Sequence, residues 1–376
     1  MGGKKLIDTE FWANKRVLVT GHTGFKGCWL TTWLSMMNAK VYGYSLPGNS
    51  DSDFFERVGA IHVTKNYFGD IKDKLSLTEA IIETAPDIIF HLAAQPLVIE
   101  SFHDPLNTYH TNVLGTVNLF EAVRTAKSKG IDVRALINVT TDKVYFNHHW
   151  DRGYTENDQL GGFDPYSASK ACSELITASY RDSFFNINQY PEHRLGIATA
   201  RAGNVIGGGD WSQNRLVPDC VRSLHRKETI TLRNPHAVRP WQHVLEPLGA
   251  YLILAERLIE DAKLYHGAWN IGPDISDCRP VSEVVYGIHR LWGGDVKDVV
   301  EEPSVYHETD TLKLDCSKTI SGLKWSPVWD LKAALDKTVE WYKAYYNNAL
   351  IDSVTKNQIS CYMNHARLKQ TISKEH

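Results

Sequence analysis

Arg16-Val17-Leu18-Val19-Thr20-Gly21-His22-Thr23-Gly24-Phe25-Lys26-Gly27 is a β-branched run that ends in glycine and passes through a G-x-x-G-x-x-G loop into a helical pattern over 25–38. Glycines at this spacing let a backbone turn tightly and come close to a pyrophosphate. The helix that follows offers free N–H groups and the positive end of its dipole. Taken alone, the spacing also fits a plain structural turn. The strand before it and the helix after it give it meaning as a dinucleotide cradle. Gly21, Thr23, Gly24, Phe25, Lys26 and Gly27 are therefore candidate cofactor contacts.

The same alternation continues downstream. Strand patterns fall at 40–44, 61–65, 87–92, 135–139 and 195–200, and helical patterns at 75–84, 105–129 and 165–180. Pro165 suits the first turn of its helix. Repeated strand–helix units predict an α/β, doubly wound parallel sheet with helices on both faces and the ligand at the carboxyl ends of the strands. Beyond Arg201 the alternation loosens through Gly207-Gly208-Gly209, and helical patterns resume at 248–259, 281–291 and 331–346. The expected organisation is a dinucleotide-binding domain over 11–200 that also carries the catalytic residues. A smaller C-terminal substrate-binding lobe over 201–350 returns some segments to the sheet, and 351–376 form a loosely held tail.

Composition limits the function classes. The 376 residues are 43% hydrophobic and 23% charged, ordinary for a soluble globular chain. With 41 Lys and Arg against 44 Asp and Glu, the net charge is -3, which gives no footprint for nucleic acid. No apolar run approaches a membrane span, and the stretch 1–12 has no apolar segment of the kind a signal peptide needs. Cys28, Cys172, Cys220, Cys278, Cys316 and Cys361 lie far apart without a C-x-x-C pair, so reduced thiols and a cytoplasmic setting are expected. The histidines and cysteines show no zinc-site spacing, and no metal is expected.

The second strand pattern ends in Ser45, where an acidic residue often holds the adenosine ribose; Asp51 and Asp53 come only later. No Lys or Arg between Val41 and Asp53 offers a clamp for a 2′-phosphate. The balance favours NAD over NADP. Asp70 and Ile71, after the third strand, are placed to reach the adenine, although Asp70 also reads as an ordinary carboxylate before a helix.

Tyr166 and Lys170 stand four apart in Tyr166-Ser167-Ala168-Ser169-Lys170, on one face of a helix. A phenol with a pKa of about 10 is a poor base at neutral pH, and adjacent positive charge favours the phenolate. The strand at 135–139 runs into Thr140-Thr141-Asp142-Lys143, which supplies a hydroxyl able to bind the same substrate oxygen. A strand-end hydroxyl, then Tyr and Lys, downstream of a glycine loop, resembles the extended short-chain dehydrogenases, a Rossmann-type family. Leu92-Ala93-Ala94-Gln95, Asn112 and Asn270-Ile271-Gly272 fit the same resemblance, which implies cofactor contacts and scaffold packing for these positions. Within that superfamily Asp142-Lys143 resembles the acid and base pair of the sugar-nucleotide 4,6-dehydratases. Lys143 also reads as a plain surface lysine at a strand end.

Longer stretches narrow the resemblance to the CDP-glucose 4,6-dehydratase family: GHTGFKG at 21–27, HLAAQPLV at 91–98, TDKVY at 141–145, GGFDPYSASK at 161–170, RAGNVIGGGDW at 201–211, RPWQHVLEP at 239–247 and LKLDCSK at 312–318. Ile99 departs from it, since arginine is expected after Gln95-Pro96-Leu97-Val98. The resemblance implies CDP-glucose as substrate and NAD as cofactor. Tyr166 would take the 4-hydroxyl proton, Thr141 orient that hydroxyl, Lys170 keep Tyr166 ionised, Lys143 remove the C5 proton and Asp142 protonate the departing 6-hydroxyl. Asn204, Asp210, Trp211, Arg215, Leu216, Arg233 and Arg239 are the candidate substrate contacts, because arginine forks match phosphate oxygens. Trp211 stacks on a base or packs internally, and Asp210 binds a sugar hydroxyl or caps a helix; the sequence leaves both open. The resemblance further implies a homodimer or a dimer of dimers, paired through the helices at 105–129 and around Tyr166. A dehydratase acting on a UDP-hexose, a 4-epimerase and a non-catalytic NAD-binding regulator are the competing readings.

Overall fold

The computed structural model describes residues 6–48, 53–232, 234–293, 299–301 and 312–372. Its centre is a seven-stranded sheet, all parallel. In chain order the elements that position the site are β1 (Arg16–Thr20), α1 (Phe25–Met36), β2 (Lys40–Ser45), β3 (Lys65–Phe68), α2 (Lys74–Thr84), β4 (Ile88–His91), α3 (Gly115–Ser128), β5 (Ala135–Val139), α4 (Pro165–Ser183), β6 (Gly196–Ala202), α5 (Leu216–Arg226), α6 (Leu245–Glu260), β7 (Gly267–Ile271), α7 (Leu331–Tyr346) and α8 (Ile351–Ile372). The strand order is β7-β6-β5-β4-β1-β2-β3. The chain therefore reverses direction across the sheet between β1 and β4, which opens a crevice at their carboxyl ends. β7 lies late in the chain and pairs in parallel with β6 at one edge of the sheet.

Alternation along the strands divides the interior. Val17, Val19, Phe90, Ile137 and Ala200 join one core with Trp29 and Trp33 of α1 and the buried run of α6. Leu18, Ile89, Leu136 and Ile197 face the other way, against Leu77 and Ile81 of α2 and Leu119 and Val123 of α3. A strand buried on both faces reads as a continuous apolar run, and RVLVT and ALINV do.

Two expectations are corrected. The third strand is Lys65–Phe68, not 61–65, and Gly59–His62 forms a 3₁₀ turn. Ile61 suggested a strand, yet it is exposed, and β3 is an edge strand that needs little apolar alternation. The segment after 350 is not a loose tail. α8 lays Ile351, Thr355, Gln358, Ile359 and Tyr362 into the molecule, and Tyr362 donates to buried Glu246 at 2.8 Å. Glu246 also accepts from the backbone N–H groups of Val328 and Trp329, so one carboxylate joins α6, the approach to α7, and α8.

The helix expected over 105–129 is one continuous rod with a fault in it. Pro105–Tyr109 leads into a π turn, His110–Leu114, and only then into α3. A π turn widens the helix by one residue and is frequent at functional sites. Here it carries Asn112.

Candidate active site

The first turn of α1 has no side-chain cap; Gly24 occupies the capping position. Its N–H groups stay free for an anion. The loop is closed by sterics. A Cβ on Gly21, whose φ is +74°, would lie 2.7 Å from the Ala93 nitrogen, and one on Gly27 would lie 2.3 Å from the Gly21 carbonyl oxygen. The β1 and β4 ends are thus pressed together, and Thr20 hydrogen-bonds the ring of His91 at 2.7 Å beneath them.

Above this loop lies a cavity of about 480 Å³. Its walls include Gly21, Thr23, Gly24, Phe25, Lys26, Gly27, Ser45, Asp70, Ile71, Leu92, Ala93, Ala94, Gln95, Tyr166 and Lys170. The Thr23 and Ser45 hydroxyls meet at 2.9 Å where an acidic residue is absent, and Thr23 also donates to the Leu46 carbonyl. The volume and the free helix N–H groups fit a dinucleotide. Asn112 stands behind the wall: it donates to the Gln95 carbonyl at 3.0 Å and to Ser169 at 2.8 Å, and accepts from the Gln95 N–H at 2.8 Å. The π turn turns it inward, so it joins the β4 exit to α4.

A second cavity, about 620 Å³, opens beside the first. Thr141, Asp142, Lys143, Asn204, Asp210, Arg215, Leu216 and Arg239 line it. Phe25, Lys26, Pro96, Thr140, Tyr166 and Arg215 belong to both cavities. Tyr166 therefore stands in a shared wall, able to reach an occupant of either side. Ile99 also faces the second cavity.

Asp164 starts α4 by accepting from the Ser167 N–H at 2.9 Å, and Pro165 follows at the first helical position. One turn on, Lys170 donates to the Val139 carbonyl at 3.0 Å. Burial pushes the Tyr166 phenol up to about 12, against a hydrogen bond with Thr141 and the charge of Arg215. Burial lowers Lys170 to about 8, and Glu174 opposes it. Burial raises the Asp142 carboxyl, with Lys143, Thr141 and Arg239 pulling it back. One Asp142 oxygen accepts from Thr141 at 3.0 Å; the other, Oδ2, is buried with no hydrogen-bond partner. A buried carboxyl biased towards its protonated form can donate a proton. Lys26 is drawn down to about 7 by burial and by the charges of Arg215 and Lys170.

Arg215 is held by Asp210 at 2.9 Å, and Arg239 is buried with Nη1 3.1 Å from the Val238 carbonyl. The loop that carries Asp210 and Arg215 is fixed from outside: Trp29 donates to the Gly208 carbonyl at 2.9 Å and Tyr342 to the Asp210 carbonyl at 2.5 Å. Trp211 packs on Tyr342 and Tyr345 and lines neither cavity. Arg233 lies outside the described residues. The sequence reading passed over Arg222, Ser223, Arg226 and Asn214, which also line the second cavity. Arg222 and Arg226 could have been found from their helical spacing on α5, one turn apart.

The model of the GDP-mannose 4,6-dehydratase family matches residues 18–338. The chain belongs to this family. Within it, a 4,6-dehydratase of Salmonella typhimurium named CDP-glucose 4,6-dehydratase is 45% identical over 358 residues, covering 95% of this chain and 99% of the relative. A UDP-glucose 4-epimerase of Mycoplasma genitalium is 23% identical over 90% of this chain and 99% of its own length. Among solved structures, a UDP-glucose 4-epimerase of Stenotrophomonas maltophila superposes with a TM-score of 0.75 at 22% identity, covering 90% of this chain and all of the other. That likeness is one of fold, and it matches the doubly wound sheet of this dehydratase family member.

Proposed function

We propose that the protein is a CDP-glucose 4,6-dehydratase: it removes water from CDP-D-glucose and forms CDP-4-keto-6-deoxy-D-glucose, with NAD in the first cavity and the sugar nucleotide in the second. The observation that carries this reading is Tyr166 in the wall shared by the two cavities, with Thr141, Asp142 and Lys143 beside it on the second side. The 45% identity to the Salmonella enzyme, over nearly the whole of both chains, supports the choice of nucleotide.

Gly21, Thr23, Gly24, Ser45, Asp70 and Lys170 would hold NAD over the glycine loop, where the cofactor would supply a hydride acceptor for C4 and a hydride donor for C6. The chain does the rest. Tyr166 removes the proton of the 4-hydroxyl and Thr141 orients that oxygen. Lys170, charged below about 8, favours the phenolate against the burial that opposes it. With C4 at the ketone level the C5 proton becomes acidic. Lys143 removes it, and Asp142 delivers a proton to the departing 6-hydroxyl, so that water leaves. Arg215, Arg239, Asn204, Asp210 and Leu216 hold the nucleotide diphosphate and sugar. The enclosing walls keep water from the intermediate.

We assign the same fold a homodimer, or a dimer of dimers. The helix Pro105–Tyr109, the π turn that follows it and α4, which they contact, leave Leu106, Leu114 and Leu175 about half to two-thirds exposed, at 66%, 49% and 59%. Apolar residues gathered on neighbouring helices suit an isologous contact. All six cysteines carry free thiols, and no helix among the described residues is long and apolar enough to cross a membrane; both fit a cytoplasmic enzyme.

The test is product identity. Purified protein is given NAD and, separately, CDP-glucose, UDP-glucose and dTDP-glucose, with mass spectrometry as the readout. A product lighter by one water from CDP-glucose alone is expected. Loss of water only from another nucleotide would overturn the substrate assignment, and none from any would overturn the dehydratase.

A further inference from the structure

Glu174 lies on α4 one turn beyond Lys170, and its side chain is 3% exposed. It is among the most fully engaged carboxylates in the molecule. Oε1 accepts from the Thr140 hydroxyl at 2.5 Å. Oε2 accepts from Thr199 at 2.7 Å and from Arg201 Nη2 at 2.9 Å. Thr140 is the residue next to Thr141, where β5 ends, while Thr199 and Arg201 belong to β6. Arg201 passes the connection outward, donating to the Tyr145 hydroxyl at 2.8 Å, and Tyr145 donates to Asn270 at 2.6 Å. Nothing in the reaction proposed above uses this network.

Its placement has a consequence for the reaction. The buried face of α4 is mostly small and polar: Ser169, Ser173 and Thr177 are answered by Asn112 of the π turn, Thr116 of α3 and Asn138 of β5. Such a face slides more readily than interlocked apolar side chains, which close-pack in one register. Tyr166 and Lys170 ride on α4, whereas Thr141 rides on β5. Their mutual distance depends on the polar ties between the two elements: Asn138 of β5 holds Ser173 and Thr177, Lys170 holds the Val139 carbonyl, and Glu174 holds Thr140, the residue beside Thr141.

We infer that Glu174 is a positioning residue: by bonding Thr140 on one side and Thr199 and Arg201 on the other, it fixes α4 against the end of β5 and supplies the negative charge that keeps the Lys170 ammonium in place. The charge argument agrees with Lys170 being raised by Glu174 against its burial. The other titratable groups around Lys170 are Tyr166 on its own helix, His91 on β4 and Lys26 on α1. His91 is held neutral by burial, and Lys26 is itself drawn down to about 7 by burial and by the charges of Arg215 and Lys170. Glu174 is the acid that opposes the burial of Lys170.

The inference rests on the dehydratase reading for its kinetic arm, but not for its titration arm. Glu174→Gln, Thr140→Val and the double variant are compared with the native enzyme. The Lys170 side chain is titrated by NMR of ¹³C-labelled lysine, assigned with Lys170→Arg, in the absence of substrate. E174Q is expected to lower kcat tenfold or more with KM for CDP-glucose within threefold. It also moves the Lys170 titration down by a pH unit or more, and the alkaline limb of kcat moves with it, because the ammonium is lost at lower pH. T140V lowers kcat without moving Lys170, and the double variant is no slower than E174Q. An unmoved Lys170 titration in E174Q, losses that multiply in the double variant, or an effect on KM alone would overturn it. Should E174Q fail to fold with Arg201 left buried and unpaired, Glu174→Gln is combined with Arg201→Met, and Lys170 must still titrate lower. An unchanged titration there overturns the inference.

Discussion

At the residue scale the site sets two ionisable groups against their surroundings. Burial holds Tyr166 protonated and biases Asp142 towards its protonated form, and the reaction needs the first state reversed and the second bias kept. Tyr166→Phe removes the group that accepts the 4-hydroxyl proton. It is expected to lower kcat by about 10²–10⁴-fold with NAD affinity little changed, measured by product formation and by NAD titration. Asp142→Asn keeps the shape and loses the proton. Oxidation at C4 then continues while departure of water slows by about 10²–10⁴-fold, so reduced-nicotinamide absorbance accumulates in the variant and not in the native enzyme. An Asp142→Asn protein that dehydrates at the native rate would remove Asp142 from the mechanism. These residues were legible because each stands in a short run with a local meaning: a strand end for Thr141, a helix turn for Tyr166 and Lys170. Glu174 and Thr140 were not, because their partners lie 25 to 34 residues away on other elements.

At the scale of elements, the glycine loop and its strands were readable from sequence while α8 was not. The loop announces itself by what it lacks. α8 hides its period, because Thr355 and Gln358 take two places in the stripe that Ile351, Ile359 and Tyr362 bury. A buried polar residue with a partner packs as well as an apolar one, but it dilutes the hydrophobic pattern. Thr355 accepts from Trp341 Nε1 at 3.0 Å, and Gln358 donates to the Lys337 carbonyl at 2.9 Å. Two outcomes belong here. Gly27→Ala forces a Cβ to within 2.3 Å of the Gly21 carbonyl, so the loop must open; NAD binding by calorimetry is expected to weaken about tenfold or more while the sheet stays folded. Tyr362→Phe removes a donor to Glu246, and denaturant unfolding is expected to show a loss of about 1.5–3 kcal/mol near pH 8. The pH dependence follows from Glu246, which burial raises to about 7. The carboxylate is ionised in the folded protein only above that value, so the Tyr362 bond is strongest there. The gap between variant and native narrows as pH falls through 7. A gap that widens towards acid pH would place the stabilisation elsewhere.

At the scale of the whole molecule, the fold class and the order of its units followed from alternation alone, whereas the joining of the two halves did not. The loop 207–215 is fixed by Trp29 of α1 and Tyr342 of α7, three segments far apart in the chain, and only the folded chain shows that dinucleotide helix and substrate loop share supports. Association belongs to this scale as well. Leu106→Glu with Leu175→Glu puts charges on the exposed helical face, and light scattering is expected to report a monomer where the native protein is a dimer or larger. A native monomer, or an unchanged mass in the variant, would set that face aside.

The π turn at His110–Leu114 carries one residue more than a regular helix would hold over the same rise. Its surplus makes this rod intolerant of editing by length. Deleting a single residue between 110 and 114 would let the helix wind without a fault over the same rise, so the turns on either side would keep their faces while the bulge itself was lost. Leu106 and Tyr109 would stay where they are, but Asn112, which the bulge turns inward, would lose its aim at Gln95 and Ser169. Natural variation in chain length should therefore avoid these five positions, while substitutions at the outward-facing ones among them are borne more easily.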